Sequence, residues 1–194
     1  MTASPRKGAL MCAVVLSLGF LAVWLSLPDQ VLVFDGVMFS GIVERIVDEW
    51  RRELFNPRHL LFNPAFMLLR DALAACGVHV AAYRLFQCVN ALVGVAGLWL
   101  FGLLLREACE DDAVAVGGAA LLGAAWSYGT RATEGQVYMI LAAGGLWTLW
   151  AAARLLRKPS LAAALHVSAA LAVTILFHAA AVALVPAVLL ALWL

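Results

Sequence analysis

Apolar stretches close to 20 residues long recur along this chain with short polar breaks between them, and no other feature restricts its fold as strongly. The first covers residues 8–27. At about 1.5 Å of helical rise per residue it would extend ~30 Å, the hydrocarbon thickness of a bilayer. Further runs cover residues 60–78, 81–105, 113–128, 136–153, 161–177 and 179–194. Composition agrees, with 65% of 194 residues hydrophobic and a mean hydropathy of +0.96, against about 45–50% apolar in soluble domains. The expected fold class is all-α: a polytopic transmembrane helical bundle forming one membrane domain over residues 1–194. Arg6 and Lys7 precede the first run as in a signal peptide. Its full spanning length, with more such runs behind it, favours a retained first helix. A net charge of +1 gives no electrostatic case for nucleic acid. Cys12, Cys76, Cys88 and Cys109 form no CxxC pair, so neither disulfides nor a zinc site are expected.

One break is long, and with the segment behind it forms a first outer loop over residues 28–80. Within it Phe39, Ile42, Ile46, Trp50 and Leu54 recur every three or four residues, flanked by Val43 and Val47. Glu44, Arg45, Asp48, Glu49, Arg51, Arg52 and Glu53 fill the other positions. This pattern predicts an interfacial amphipathic helix lying along the membrane surface. Trp24 and Trp50 suit the headgroup level. The run 60–78 carries Asn63, Pro64, Arg70 and Asp71. A charge at mid-bilayer costs roughly 2.5–3.5 kcal/mol, so this run is expected to pack at the interface or against protein. Six spanning helices remain. Arg6, Lys7, Arg106, Arg154, Arg157 and Lys158 then share one side, which the positive-inside rule makes cytoplasmic, together with the N-terminus.

That topology gathers Asp35, Glu44, His59, Arg131, Glu134 and His178 on the extracytoplasmic side, and polar groups collected at one face of a bundle suggest a site. Asp35 is either a general base for an acceptor hydroxyl or the cap of an Asp-Gly turn. His59, inside "NPRHLLFNP" (residues 56–64), either binds phosphate or orients a carboxylate, or is an interfacial imidazole without chemistry. In "WSYGTRATEGQVY" (residues 126–138), Arg131 offers a fixed charge and a forked donor set suited to phosphate. Glu134 is placed near the start of the next helix, where the dipole favours an acid. Arg131 as an interfacial anchor and Glu134 as a helix-start residue are the structural alternatives. His178 is a binding group or a structural hydrogen-bonding residue, and His166 is read as structural. "REACEDDAV" (residues 106–114) resembles a metal-binding acid cluster, but helix capping by Asp111 and Asp112 accounts for it. Gly94, Gly97, Gly117, Gly118, Gly144 and Gly145 are read as close-packing positions.

Taken together, the pieces resemble the GT-C-fold glycosyltransferase superfamily, in its protein O-mannosyltransferase-like branch. The resemblance rests on the first span, Asp35 soon after it, an interfacial helix over residues 38–55, "RHLLFNP", "WSYGTRATEGQVYMI" and "FHAAAVALVP". It implies a membrane transferase that moves a sugar from a polyprenyl-phosphate donor to an acceptor hydroxyl on a protein, lipid or glycan outside the cytoplasm. Asp35 would be catalytic, with His59, Arg131, Glu134 and His178 binding substrate or phosphate. The implied setting is a multi-pass protein of a bacterial inner membrane, in contact with membrane lipid. The chain departs from the family where a second acid often follows the first: Gly36 stands there. It departs again where Glu-Val-Tyr is common, since Gln136-Val137-Tyr138 stands in its place. A divalent metal cofactor is open but has no clear motif here. The family's greater length implies an N-terminal portion of a longer module. The reading kept beside it is a membrane transporter or lipid-handling protein without transfer chemistry.

Overall fold

The computed structural model describes residues 5–30, 33–46 and 50–193, and among them every regular element is helical. In chain order these are α1 (Pro5–Ser26), α2 (Phe34–Glu44), α3 (Trp50–Glu53), α4 (Phe62–Ala75), α5 (Ala82–Cys109), α6 (Asp112–Ala124), α7 (Trp126–Thr133), α8 (Tyr138–Arg157), α9 (Leu161–Phe177), a 3-10 segment (Ala179–Leu184) and α10 (Val185–Trp193). Among the described residues, three helices are long and apolar enough to cross a membrane: α1, α5 and α8. Helices α6 and α9 have 13 and 17 residues, about 20 and 26 Å at 1.5 Å per residue.

Hydrogen bonds and ion pairs fix how the long helices run. At one end Arg84, near the start of α5, donates to the carbonyl of Leu25 at the end of α1. These two helices are therefore antiparallel. Asn90 of α5 donates to the carbonyls of Glu134 and Gln136, just ahead of α8. At the opposite end Arg157 of α8 pairs with Glu107 in the last turn of α5 and with Glu110 just behind it. Helices α5 and α8 thus run parallel, with both N-termini at one end of the bundle. Helix α9 folds back along α8, where Thr174 lies against Gly144.

Helix α4 leaves and returns to that same N-terminal end. The Leu61 N–H bonds to the carbonyl of Leu176 at the end of α9, and the Ala82 N–H that opens α5 bonds to Glu44 Oε1. Fourteen residues give α4 about 21 Å of length. Its buried face carries Phe62, Asn63 and Phe66. The two phenylalanines join Phe39, Ile42, Val43, Leu85, Phe86 and Val137 in the core that closes this end of the bundle.

The surface helix expected over residues 38–55 is two pieces. Helix α2 begins earlier, at Phe34, and stops at Glu44 because Arg45 takes a left-handed conformation (φ 62°). The Arg45 N–H then bonds to the Ile42 carbonyl, and the Ile46 N–H to that of Gly41. This pattern spends the loose carbonyls of the last turn. Asp71 of α4 pairs with the Arg45 guanidinium, which also lies over the Trp50 ring. Val47, Asp48 and Glu49 lie outside the described residues, as do Leu194 and the side chains of Arg6 and Lys7. The run 113–128 is likewise broken, at Ala125 (ψ 127°), between α6 and α7. Trp24, expected among the headgroups, is only 5% exposed and packs with Ala91, Tyr128 and Met139.

Glycine packing divides the six positions singled out in the sequence. A methyl group at Gly94, Gly97, Gly118 or Gly144 would meet Trp24, Tyr128, Leu105 or Thr174 below 3.0 Å. Gly117 has nothing within 4 Å and Gly145 only an ordinary contact. The tightest site backbone-to-backbone is Gly36 of α2, where an added Cβ would stand 2.6 Å from the Gly135 carbonyl oxygen and 2.9 Å from the Tyr83 ring. Asp35-Gly36 is therefore no turn, and the glycine lets α2 press onto the segment before α8. Gly36→Ala should lower stability by about 1–3 kcal/mol, as overpacking against unyielding backbone does. Gly117→Ala should be neutral or better. Thermal unfolding in detergent of the two variants checks the contrast.

Candidate functional site

The residues singled out in the sequence meet at the end of the bundle where α5 and α8 begin. Two backbone hydrogen bonds tie the first loop to the end of α9: Leu61 N–H to Leu176 O, and Ala179 N–H to Arg58 O, both 2.9 Å. They bracket His59 and His178, whose rings stand edge to face with centroids 4.6 Å apart. His178 also lies 5.8 Å from the Tyr138 ring, and the Arg131 guanidinium sits over that ring at 4.9 Å. Arg131 Nη1 donates to Glu134 Oε2 at 2.7 Å and to Gln136 Oε1 at 3.3 Å. Asp35 completes the group from α2, close enough for its charge to act on His59. Glu44, also assigned to this side, is engaged in bonding the Ala82 N–H.

Local folding explains each placement. Asp35 lies in the first turn of α2, where the helix dipole favours a carboxylate. It does not cap that helix: the cap position is Val33, with no side-chain hydrogen bond. Among the described contacts no hydrogen bond ties up the Asp35 carboxylate, so it stays available to a ligand. Glu134 departs from expectation. It forms the C-terminal cap of α7 and not the first turn of α8, an end where the dipole disfavours an acid. Arg131 one turn earlier compensates, and the Glu134 side chain is only 12% exposed in that pair. Asn90, wholly buried on α5, holds the segment in place by donating to both flanking carbonyls. Asn90 has no signal in the sequence, since an asparagine in an apolar helix carries no spacing pattern, and Tyr138 enters there only within the Gln136-Val137-Tyr138 comparison.

The imidazoles have separable duties. His178 Nδ1 accepts the Ala180 N–H and so caps the 3-10 segment. The neutral ring must then carry its proton on Nε2, which makes that nitrogen a donor. His59 Nδ1 is buried without a hydrogen-bond partner. Burial lowers the pKa of His59 from the ordinary 6.5, and the neighbouring His178 adds to that; a hydrogen bond to the Phe177 backbone and the Asp35 charge oppose it, and Arg58 lowers it further. Burial likewise lowers His178. His166 is structural, accepting the Trp147 indole N–H at 2.8 Å. In the acid cluster Asp111 caps α6 through the Ala113 and Val114 N–H groups, and Asp112 pairs with Arg106.

This arrangement sets a carboxylate without a described hydrogen bond, two imidazoles and an oriented guanidinium at one end of the bundle. Such a set can take a proton from a hydroxyl and hold an anion beside it. The chain matches no family model, no curated protein and no solved structure.

The lowered imidazole pKa values link stability to pH. The unfolded chain takes up these protons at higher pH than the native one. The stabilisation is therefore full above about pH 6.5 and falls away as pH drops through the native values. Melting temperature in detergent should decline from about pH 7 to about pH 5, more steeply than in a His59→Gln, His178→Gln double variant.

Proposed function

We propose that this protein is a polytopic membrane glycosyltransferase that uses a polyprenyl-phosphate sugar. The observation that carries the reading is the meeting of Asp35, His59, His178, Arg131 and Glu134 at one end of the bundle, drawn from α2, the first loop, α7 and the end of α9. The opposite end holds Arg106 and Arg157, which the positive-inside rule assigns to the cytoplasm. The site then faces the extracytoplasmic side, level with the headgroup of a donor whose tail remains in lipid.

In the reaction, the acceptor hydroxyl oxygen forms a bond to the anomeric carbon while the bond from that carbon to the phosphate oxygen breaks. Asp35 takes the hydroxyl proton as general base. Polyprenyl phosphate leaves with the bonding electron pair, and its growing charge falls to Arg131 and the His178 Nε2–H. Glu134 and the Tyr138 ring keep the guanidinium in one orientation, as a planar fork requires. His59, packed edge to face against His178 and within the electrostatic reach of Asp35, is assigned to holding that imidazole beside the acceptor or the phosphate.

A lipid-handling role without transfer chemistry is the second reading, favoured by an apolar cleft of about 360 Å³ between α1, α5 and α6. Membranes carrying the full-length protein, given radiolabelled polyprenyl-phosphate hexoses, separate the two. Asp35→Asn should abolish sugar incorporation while expression and insertion persist. Arg131→Gln should reduce it by about 10²-fold, the usual loss for one oriented donor. Full turnover in Asp35→Asn would overturn the assignment.

A further inference from the structure

The cleft beside α1 has a shape and a mouth that the transfer site does not explain. Helix α1 packs firmly only through its second half. Phe20 fills the space over Gly123, and Trp24 that over Gly94, while Gly8 near the start of the helix meets nothing within 4 Å. Towards its N-terminus α1 stands away from α5 and α6, leaving a wedge whose walls include Ala13, Leu98 and Ala119 and whose floor is Phe20. From Leu10 to Phe20 the wedge is about 15 Å deep at 1.5 Å per residue. That is half the ~30 Å hydrocarbon core, the depth of one leaflet. Its volume of about 360 Å³ suits a single lipid chain and not a bundle of side chains.

The mouth carries both signs of charge. Arg106 Nε and Asp112 Oδ1 meet at 2.9 Å, and the two side chains are 47% and 35% exposed. Both line the cleft. A guanidinium binds a phosphodiester well. A purely anionic headgroup would, however, set its charge against Asp112, and a like-charge contact selects against that partner. An ammonium that retains N–H donors answers Asp112 directly. A trimethylated ammonium has no donor to give.

We propose that this cleft is a binding site for an aminophospholipid of the leaflet opposite the transfer site. One acyl chain lies in the wedge, the phosphate sits on Arg106, and the primary ammonium on Asp112. The site is independent of the transfer reaction and stands whether or not that reaction is catalysed.

The unaltered protein, delipidated in mild detergent and offered phospholipids of matched chains, tests this by native mass spectrometry and thermal shift. The ethanolamine lipid should be retained roughly tenfold better than the choline or glycerol lipid, the size of one charge-assisted contact. Asp112→Asn should bring the ethanolamine-to-choline ratio close to one without changing the lipid-free melting temperature much. Ala13→Phe, which fills the wedge, should reduce retention of every headgroup. Equal retention of the three lipids by the unaltered protein, or preference for the glycerol lipid, would overturn the proposal.

Discussion

Two backbone hydrogen bonds, one from Leu61 to Leu176 and one from Ala179 to Arg58, hold the site together. They arise from a general need. The last carbonyls of a helix have no partner within it, and near lipid an unmet polar group is costly. Helix α9 meets that need at Leu176 by borrowing an N–H from the first loop, and the loop receives one back. Side-chain chemistry follows from this exchange: His59 and His178 face each other because the chain segments carrying them are bonded on either side. Remove the exchange and α4 loses its anchor, Phe62 its seat in the core, and the imidazoles their contact.

A second constraint sits on the other flank. Gly36 lets the carbonyl of Gly135 approach α2, and Asn90 bonds the carbonyls of Glu134 and Gln136 to α5. The segment before α8 is thereby held from two sides, with the Tyr83 ring packed over both glycines. Arg131 and Glu134 stand on the near side of that segment, so their ion pair is aimed by backbone geometry more than by its own attraction. The pair is open to solvent on the Arg131 side, which limits what it adds to stability, and its value here is orientation.

How much of this the sequence disclosed depends on the kind of signal. Long apolar runs located α1, α5 and α8 to within about four residues at each end, because lipid imposes length and composition together. Charged residues inside run 60–78 speak against an ordinary span, and α4 has 14 residues there. Interruptions were less visible. The three-and-four spacing from Phe39 to Leu54 passes straight through Arg45, where the helix ends in a left-handed residue that is neither glycine nor asparagine. Ala125 breaks α6 from α7 with no proline or glycine to mark it. Asp35-Gly36 looked like a turn because glycine usually signals one, whereas here it serves a close approach that only tertiary structure reveals. Glu134 was placed one element too late for the same reason: α7 is short and polar, and its pattern reads as loop.

The parallel course of α5 and α8 carries one more consequence. Aligned peptide dipoles leave partial positive charge at each helix start and partial negative charge at each finish. Neighbouring helices that point the same way therefore stack like poles together. At the finish, Arg157 reaches from α8 to the acids behind α5 and dilutes the crowding with a full positive charge. At the start, Ala82 and Tyr138 open their helices with no acid in the first turn. Helices α1 and α9 run the other way and finish where α5 and α8 begin, so opposite poles lie side by side at the site and offset one another, and the full charges of Arg131 and Glu134 set the local field.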